Sequence, residues 1–348
     1  KDNIVPYIKN SNNMSQNILF ISEKSLVLVN AFNEKAMLFQ SYSKASEKSD
    51  NHTFNSARMI GSIQIITSII TSNQEYSNGN HIFSNDLNQA IFTILTALNS
   101  YIKSLNAISH SQNDNKHFLK ILIDLENFTL SIFTFSTNLC EINNSIIEAN
   151  KMDDSESTRK LNNLYLRLGI ECTLFNFSVN VDPIDDFPFF KSNYVQVYHN
   201  YDIICSISEK IAPIKSFCGT GKTTCIPLIL FCKNLKDNDN APFILMTFPN
   251  QSHVNSKMEL FKKLLSKYVD IESDEQKLLE ILNSFEKFGE DQKLTFGLLT
   301  PYNLPRLMYN IKDKEKIISH IRFIIDDINQ RSFHLSVIFS RVLESYET

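Results

Sequence analysis

Residues 217–230 read FCGTGKTTCIPLIL. A loop that ends in Gly-Lys-Thr at the start of a helix is chemically legible. Glycines let backbone N–H groups close around a polyphosphate, and the helix N-terminus adds partial positive charge. Lys222 would reach the outer phosphates and the Thr223 hydroxyl would ligate Mg²⁺. Gly219, Thr220, Gly221, Lys222, Thr223 and Thr224 form this candidate nucleotide-binding set, with ATP and Mg²⁺ as the expected cofactors. The complete pattern asks for a glycine at position 216, where Ser216 stands, and serine can take the needed backbone at modest strain.

Outward from the loop, proline divides the chain. After Pro6 none occurs until Pro183, and seven more follow by Pro305. So long a stretch without proline favours helices. The apolar spacing agrees: Leu87, Ile91, Leu95, Leu98, Ile102 and Leu105 recur at intervals of three and four behind the capping candidates Ser84 and Asp86. Ile18, Ile21, Leu28, Phe32, Ala36 and Phe39 nearly repeat this. Further helices are predicted near 53–72, 115–148 and 156–178, separated by SEKSDNHT, SNQEYSNGNH and KMDDSES. Together they predict an antiparallel helical bundle from about 14 to 180. Its Phe, Leu and Ile stripes read as core, and His81, His110 and His117 sit singly beside polar loops, so nothing in this half marks a catalytic site.

VDPIDDFPFF, residues 181–190, reads as a linker or docking strap. After it, short apolar runs at 211–217, 243–248, 294–300 and 323–327 alternate with helical stretches near 221–233, 252–268 and 274–288. Runs apolar on both faces and separated by helices predict a parallel sheet covered on each side. The expected fold class is thus α plus α/β: a helical accessory domain over 1–181, then a P-loop, RecA-like parallel-sheet domain over 182–348. In the first strand, IAPIKSF carries Pro213 and Lys215, so either that strand begins at Ile214 or the sheet is locally irregular.

Composition sets the outer limits. The 348 residues are 43% hydrophobic, enough for two cores. With 34 basic and 38 acidic residues the net charge is −4, so the chain as a whole offers no footprint for a nucleic-acid backbone and any such contact is local. The cysteines at 140, 172, 205, 218, 225 and 232 form no CxxC pair and suggest free thiols in a reducing compartment. Cys218, inside the loop, could couple nucleotide binding to oxidation, though a small packing residue is the plainer reading. The most apolar run, FLKILIDLENFTLSIFTF, carries Lys120, Asp124 and Glu126, which a membrane core would tolerate poorly. The expectation is a soluble intracellular protein, cytoplasmic or nuclear, with no membrane partner. Triplets such as Asn127-Phe128-Thr129 arise by chance in a chain this rich in Asn and Ser. A first residue of Lys1 and a last of Thr348 just after a helical pattern suggest a piece of a longer product.

GTGKTTCIPLIL resembles the first motif of the DEAH/RHA helicases of superfamily 2, in which Gly-Lys-Thr-Thr is followed by a polar residue, Ile-Pro and an apolar helix. Further segments come in that family's order. Met246-Thr247-Phe248-Pro249 looks like its Thr-x-Pro motif, which touches the nucleic-acid backbone. Thr300, Leu304 and Arg306 in LTPYNLPRL are similar to its Thr-Asp-Gly and Leu-x-Arg segment, and FIIDDINQRSFHLSVIF resembles the strand, acidic box and Arg-Ser of its second motif, with Arg331 and Ser332 matching. The resemblance spans about 185–348. It implies a DEAH-like ATP-dependent RNA helicase lobe that binds Mg-ATP and nucleic acid, RNA rather than DNA, with Thr247, Pro249, Thr300 and Arg306 on the backbone. It gives Asp326 to Mg²⁺ and Asp327 to the attacking water.

Several positions depart from the family. Asp327 replaces its glutamate, setting the carboxylate about an ångström back, which can cost on the order of 100-fold in rate. Asn329 replaces the histidine that couples nucleotide to the second lobe, and His334 falls too far along to serve. Asn250 and Gln251 stand where the family has two arginines, removing up to two phosphate contacts. The sequence stops short of the family's Ser-Ala-Thr motif and of its second lobe, which in that family supplies the arginine finger. The alternative is therefore a catalytically degenerate helicase-like scaffold or protein-interaction module, with a protein partner for the helical half. An unrelated P-loop kinase or GTPase has no support from the flanks.

Overall fold

The computed structural model describes residues 56–76, scattered positions between 86 and 97, 115–151, 155–179, Tyr201, Ile204, Ile214, 221–236, 242–285 and 294–326. They fall into two compact units: one holds the described residues of 1–154 and 171–226, the other those of 155–170 and 227–348.

The first unit is helical. Helix α1 spans Ser56–Tyr76 and α2 spans Asn115–Ala149. α2 buries Leu125, Phe128, Ile132, Phe135, Leu139, Ile142 and Ile146. Their strict alternation of three and four residues keeps one seam facing its partners for the length of the helix. α1 answers with Met59, Ile63, Ile66 and Ile69, all buried, and the two helices pack together. Each such side chain taken fully from water contributes about 1.5–3 kcal/mol. Helix α3, Ser155–Ser178, gives its second half to this unit. There Phe175 stacks on Phe135 with ring centroids 4.3 Å apart, and Asn138 Nδ2 donates to Glu171 Oε2 at 3.1 Å. Those two pairs sum to nearly the same residue number, the signature of an antiparallel hairpin. Between 86 and 97 the described residues are helical, with Leu87, Ala90, Ile94 and Ala97 buried on one face. Ile91, Leu95, Leu98, Ile102 and Leu105 of the expected stripe lie outside the described residues, as does the whole segment from Ile18 to Phe39.

The second unit is built on a four-stranded, all-parallel sheet. Strand β1 (Phe243–Thr247) reads FILMT and β3 (Leu294–Leu299) reads LTFGLL; every residue of both is buried, as runs apolar on both faces require. With β2 (Val269–Glu272) and β4 (Ile321–Ile325) the order across the sheet is β2-β3-β1-β4. Helix α4, Lys222–Lys236, belongs to this unit from Pro227 onward. Together with α5 (Gln251–Leu265) it covers one face, where Phe231 and Phe261 each make a T-shaped contact with Phe296, ring centroids 5.8 and 4.7 Å away. Helices α6 (Glu275–Ser284), α7 (Asn303–Asn310) and α8 (Lys314–Ile318) cover the other with Leu278, Leu282, Leu304, Leu307 and Ile317 against Phe243, Leu245 and Leu299.

Close approach rather than turn geometry explains Gly297. A Cβ there would lie 2.4 Å from Leu245 Cδ2, which leans across from the neighbouring strand in register. Gly169 serves the same end on α3, where an added Cβ would meet the Tyr268 ring at 2.4 Å. Asn250, Asp274 and Asp313 cap α5, α6 and α8 with their side chains.

Two expectations need amendment. The helix foreseen at 252–268 ends at Leu265, and the chain turns at once into β2, a strand too short to stand out in the sequence. Ile214, in the expected strand 211–217, is 38% exposed and outside any strand, while the other positions of that segment lie outside the described residues. Pro213 beside it cannot donate to a ladder, which disfavours a central strand at that point. Among the described residues no helix is long and apolar enough to cross a membrane.

Candidate functional site

The start of α4 holds four of the six residues expected around a phosphate; Gly219 and Thr220 lie outside the described residues. Gly221 has φ of 81°, a left-handed backbone that costs glycine nothing and any other residue roughly 1–2 kcal/mol. Its carbonyl accepts from Thr224 N at 3.0 Å and Cys225 N at 2.8 Å, so Gly221 is the helix cap and Lys222 the first helical residue. Lys222 and Thr223 are half-buried, and Thr224 is buried. The amides of Lys222 and Thr223 stand at the very start of the first turn, where helix geometry supplies no acceptor four residues back, while the Thr224 amide is already held by Gly221. One turn on, Pro227 cannot donate to the Thr223 carbonyl, so the motif's Ile-Pro pair removes one rung of the helix. Burial pushes the Cys225 thiol up to about 12, leaving it a packing residue without thiolate character at neutral pH.

In the second unit the parallel register aligns the carboxyl ends of three strands. Thr247 closes β1 opposite Leu299 and Ile325. Phe248 N donates to the Leu299 carbonyl at 2.9 Å, and Asp326 N donates to the Thr247 carbonyl at 3.2 Å. Thr247, Thr300 and Asp326 are thereby brought to one edge of the sheet, the edge where open parallel sheets bind ligands. Asp326 is half-buried there, and β4 behind it is half-buried from Arg322 to Ile325. Asp327, Asn329, Arg331, Ser332 and His334 lie outside the described residues.

The four expected nucleic-acid contacts differ in access. Thr247 is 2% exposed and Thr300 8%, whereas Pro249 is exposed. Thr300 holds the entry to α7: its hydroxyl donates to Asn303 Oδ1 at 3.1 Å, and its carbonyl accepts from Asn303 N and Leu304 N. Arg306 reaches outward with a side chain 73% exposed, and its Nε donates to Glu275 Oε1 at 3.1 Å. The guanidinium expected on a phosphate thus already holds a carboxylate.

Some roles escaped the sequence. Asn250, read as a lost arginine, is the α5 cap: its Oδ1 accepts from His253 N at 3.0 Å and lies 2.9 Å from His253 Nδ1. An asparagine directly after proline and ahead of a helical pattern is a cap signal that could have shown this. Gln251 Nε2 donates to Asn255 Oδ1 on the same exposed face. Glu171 had no signal at all; it is wholly buried, accepting from Asn138 and from Tyr201 O–H at 2.5 Å, and burial first, then the charges of Asp86 and Glu171, keep the Cys172 thiol well above its usual range. Among the described residues no group of three or more His, Cys, Asp or Glu side chains gathers as a metal cage.

No family model, curated protein or solved structure matches this chain.

Proposed function

We propose that the chain is the nucleotide-binding lobe of a DEAH-like ATP-dependent RNA helicase, with a RecA-like P-loop domain that holds Mg-ATP and a nucleic-acid backbone. The observation that carries the reading is Gly221, whose left-handed backbone delivers the chain into α4 with Lys222 as first helical residue. A Gly-Lys-Thr at such a junction supports phosphate binding, since a lysine and first-turn amides then share one helix end. The alignment of Thr247, Thr300 and Asp326 on one sheet edge adds independent support.

In this reading the resemblance, not the geometry, assigns Lys222 to the outer phosphates and names the Thr223 hydroxyl and the Asp326 carboxylate as Mg²⁺ ligands. Both are oxygen donors of the hard type Mg²⁺ takes, and one carboxylate with one hydroxyl suits an ion that keeps waters and phosphate oxygens for its other positions. When bound, the ion neutralises phosphate charge. Asp327 orients the attacking water from a side chain one methylene short of glutamate, so hydrolysis is weaker than binding.

The test is the affinity of a fluorescent ATP analogue, with Mg²⁺, for the native chain and for Lys222→Ala. The expected result is a loss of at least tenfold in the variant, and equal affinities would refute the reading. A second reading, a catalytically degenerate scaffold working through protein contacts of the helical half, draws on Asn250 serving as a cap and Arg306 pairing with Glu275. It predicts no RNA-stimulated ATP turnover.

A further inference from the structure

A buried acid in the helical unit takes no part in the nucleotide reading. Glu171 of α3 is wholly shielded from water, and each of its carboxylate oxygens accepts from a different part of the chain. Oε2 takes Asn138 Nδ2 of α2 at 3.1 Å. Oε1 takes the Tyr201 hydroxyl at 2.5 Å, the length of an O–H donor on a charged acceptor. Tyr201 and Ile204 are 3% and 4% exposed, both helical and three residues apart, so one face of that turn is pressed into the unit.

Burying a carboxylate is costly, and a well-packed apolar residue at this position would hold a helical hairpin as well. The hairpin has its own grip: Phe135 and Phe175, each about one turn from Asn138 and Glu171, stack with centroids 4.3 Å apart, and Leu139 and Leu174 are buried on the same two helices. What the carboxylate adds is a directed acceptor for a group that arrives from elsewhere in the sequence. Tyr201 stands near the middle of the stretch between Ser178, the end of α3, and Lys222, the start of α4. Seating one interior point of so long a stretch costs chain entropy, which burial of the ring and of Ile204 offsets together with the bond to Glu171. That bond is also directional. A Tyr201 ring displaced by about an ångström keeps its apolar contacts yet loses the bond, leaving a buried carboxylate one donor poorer, so the seat is held in a single position.

We infer that Tyr201 is a latch: its hydroxyl on Glu171 fastens the connection between α3 and α4 to the α2–α3 hairpin, and the fastening opens locally while the hairpin stays folded. Its release frees a point on the chain that leads to Gly221, and it stands independently of whether that glycine serves a phosphate.

The test is native-state hydrogen exchange of the full chain, read by mass spectrometry on peptides covering residues 201–204 and, separately, on peptides from α2 and α3. Tyr201→Phe keeps the ring and removes only the hydroxyl. It should speed exchange at 201–204 about tenfold or more, the equivalent of losing a hydrogen bond to a charged group, and leave α2 and α3 within about twofold of native. Glu171→Gln offers one acceptor oxygen where two donors need one each, so it should loosen the same peptide to a similar degree. The double variant should be no looser than the looser single one, since either change alone opens the latch. Native-like exchange at 201–204 in Tyr201→Phe overturns the latch and reduces the tyrosine to a packing ring. Exchange that rises equally in α2 and α3 also overturns it, because the network would then hold the whole hairpin. So does a double variant whose loosening is the product of the two single effects, because Tyr201 and Glu171 would then act separately.

Discussion

Gly297→Ala tests the sheet register on which the candidate site depends. The added methyl would lie 2.4 Å from Leu245 Cδ2 and 3.1 and 3.2 Å from the two Leu278 methyls. Carbon atoms in contact sit about 3.5–4.0 Å apart, so Leu245 must retreat by about 1 Å or more. It has little room to do so, since Leu245 and Leu278 are each 1% exposed and share one core with Leu282 and Leu299. Overpacking of this kind costs about 1–3 kcal/mol, partly offset by the roughly 0.4–1 kcal/mol that losing a glycine removes from unfolded-chain entropy. The expected net loss is about 1–2 kcal/mol in urea unfolding followed by circular dichroism. Leu245→Ala alone should cost about 2–5 kcal/mol by opening a cavity. The informative measurement is the double variant: with Cδ2 gone the new methyl enters vacated space, and Gly297→Ala becomes neutral or stabilising. The cycle should return a coupling of at least about 1 kcal/mol. Additivity within about 0.5 kcal/mol would mean that Leu245 does not lie across Gly297, and the alignment of Thr247 beside Leu299 and Thr300 would lose its basis.

Asn250→Ala should destabilise the sheet unit by about 1 kcal/mol through loss of the α5 cap, while Asn250→Asp should match or exceed the native chain because a carboxylate caps equally well and meets the helix dipole favourably; thermal unfolding of the two variants checks both. Cys225 predicts an alkaline dependence: its folded pKa of about 12 lies above the ordinary 9.0, so the thiol's contribution is intact below pH 9 and is lost at about 1.4 kcal/mol per pH unit as pH climbs from there toward 12. Urea midpoints measured at pH 8, 9 and 10 should fall less steeply in Cys225→Ala than in the native chain, and parallel slopes would contradict the burial argument.

Much of this architecture is written in local pattern. The proline-free first half produces α1, α2 and α3 because uninterrupted apolar spacing leaves the backbone no cheaper way to satisfy its hydrogen bonds. FILMT and LTFGLL announce strands buried on both faces, and Gly-Lys-Thr announces the start of α4. These signals are short-range: each depends on neighbours within a turn or two of chain. β2, α7 and α8 are too brief to build a period; β2 is held by its pairing with β3, and α7 and α8 by Leu304, Leu307 and Ile317 sharing a core with Phe243, Leu245 and Leu299. Pairing order is likewise invisible locally. Nothing in residues 243–247 says that β3 lies on one side and β4 on the other, yet that choice puts Thr247, Thr300 and Asp326 on one edge. Partners distant in sequence decide the chemistry of single groups as well. Arg306 reads as a cation waiting for phosphate until Glu275 is found beside it, and Asn250 reads as a lost arginine until the His253 amide turns it into a cap. Periodicity and motif specify which elements form, because those depend on local backbone energetics. The sheet order and the residues that meet at its carboxyl edge follow from burying those elements against one another, a condition that long-range packing alone imposes.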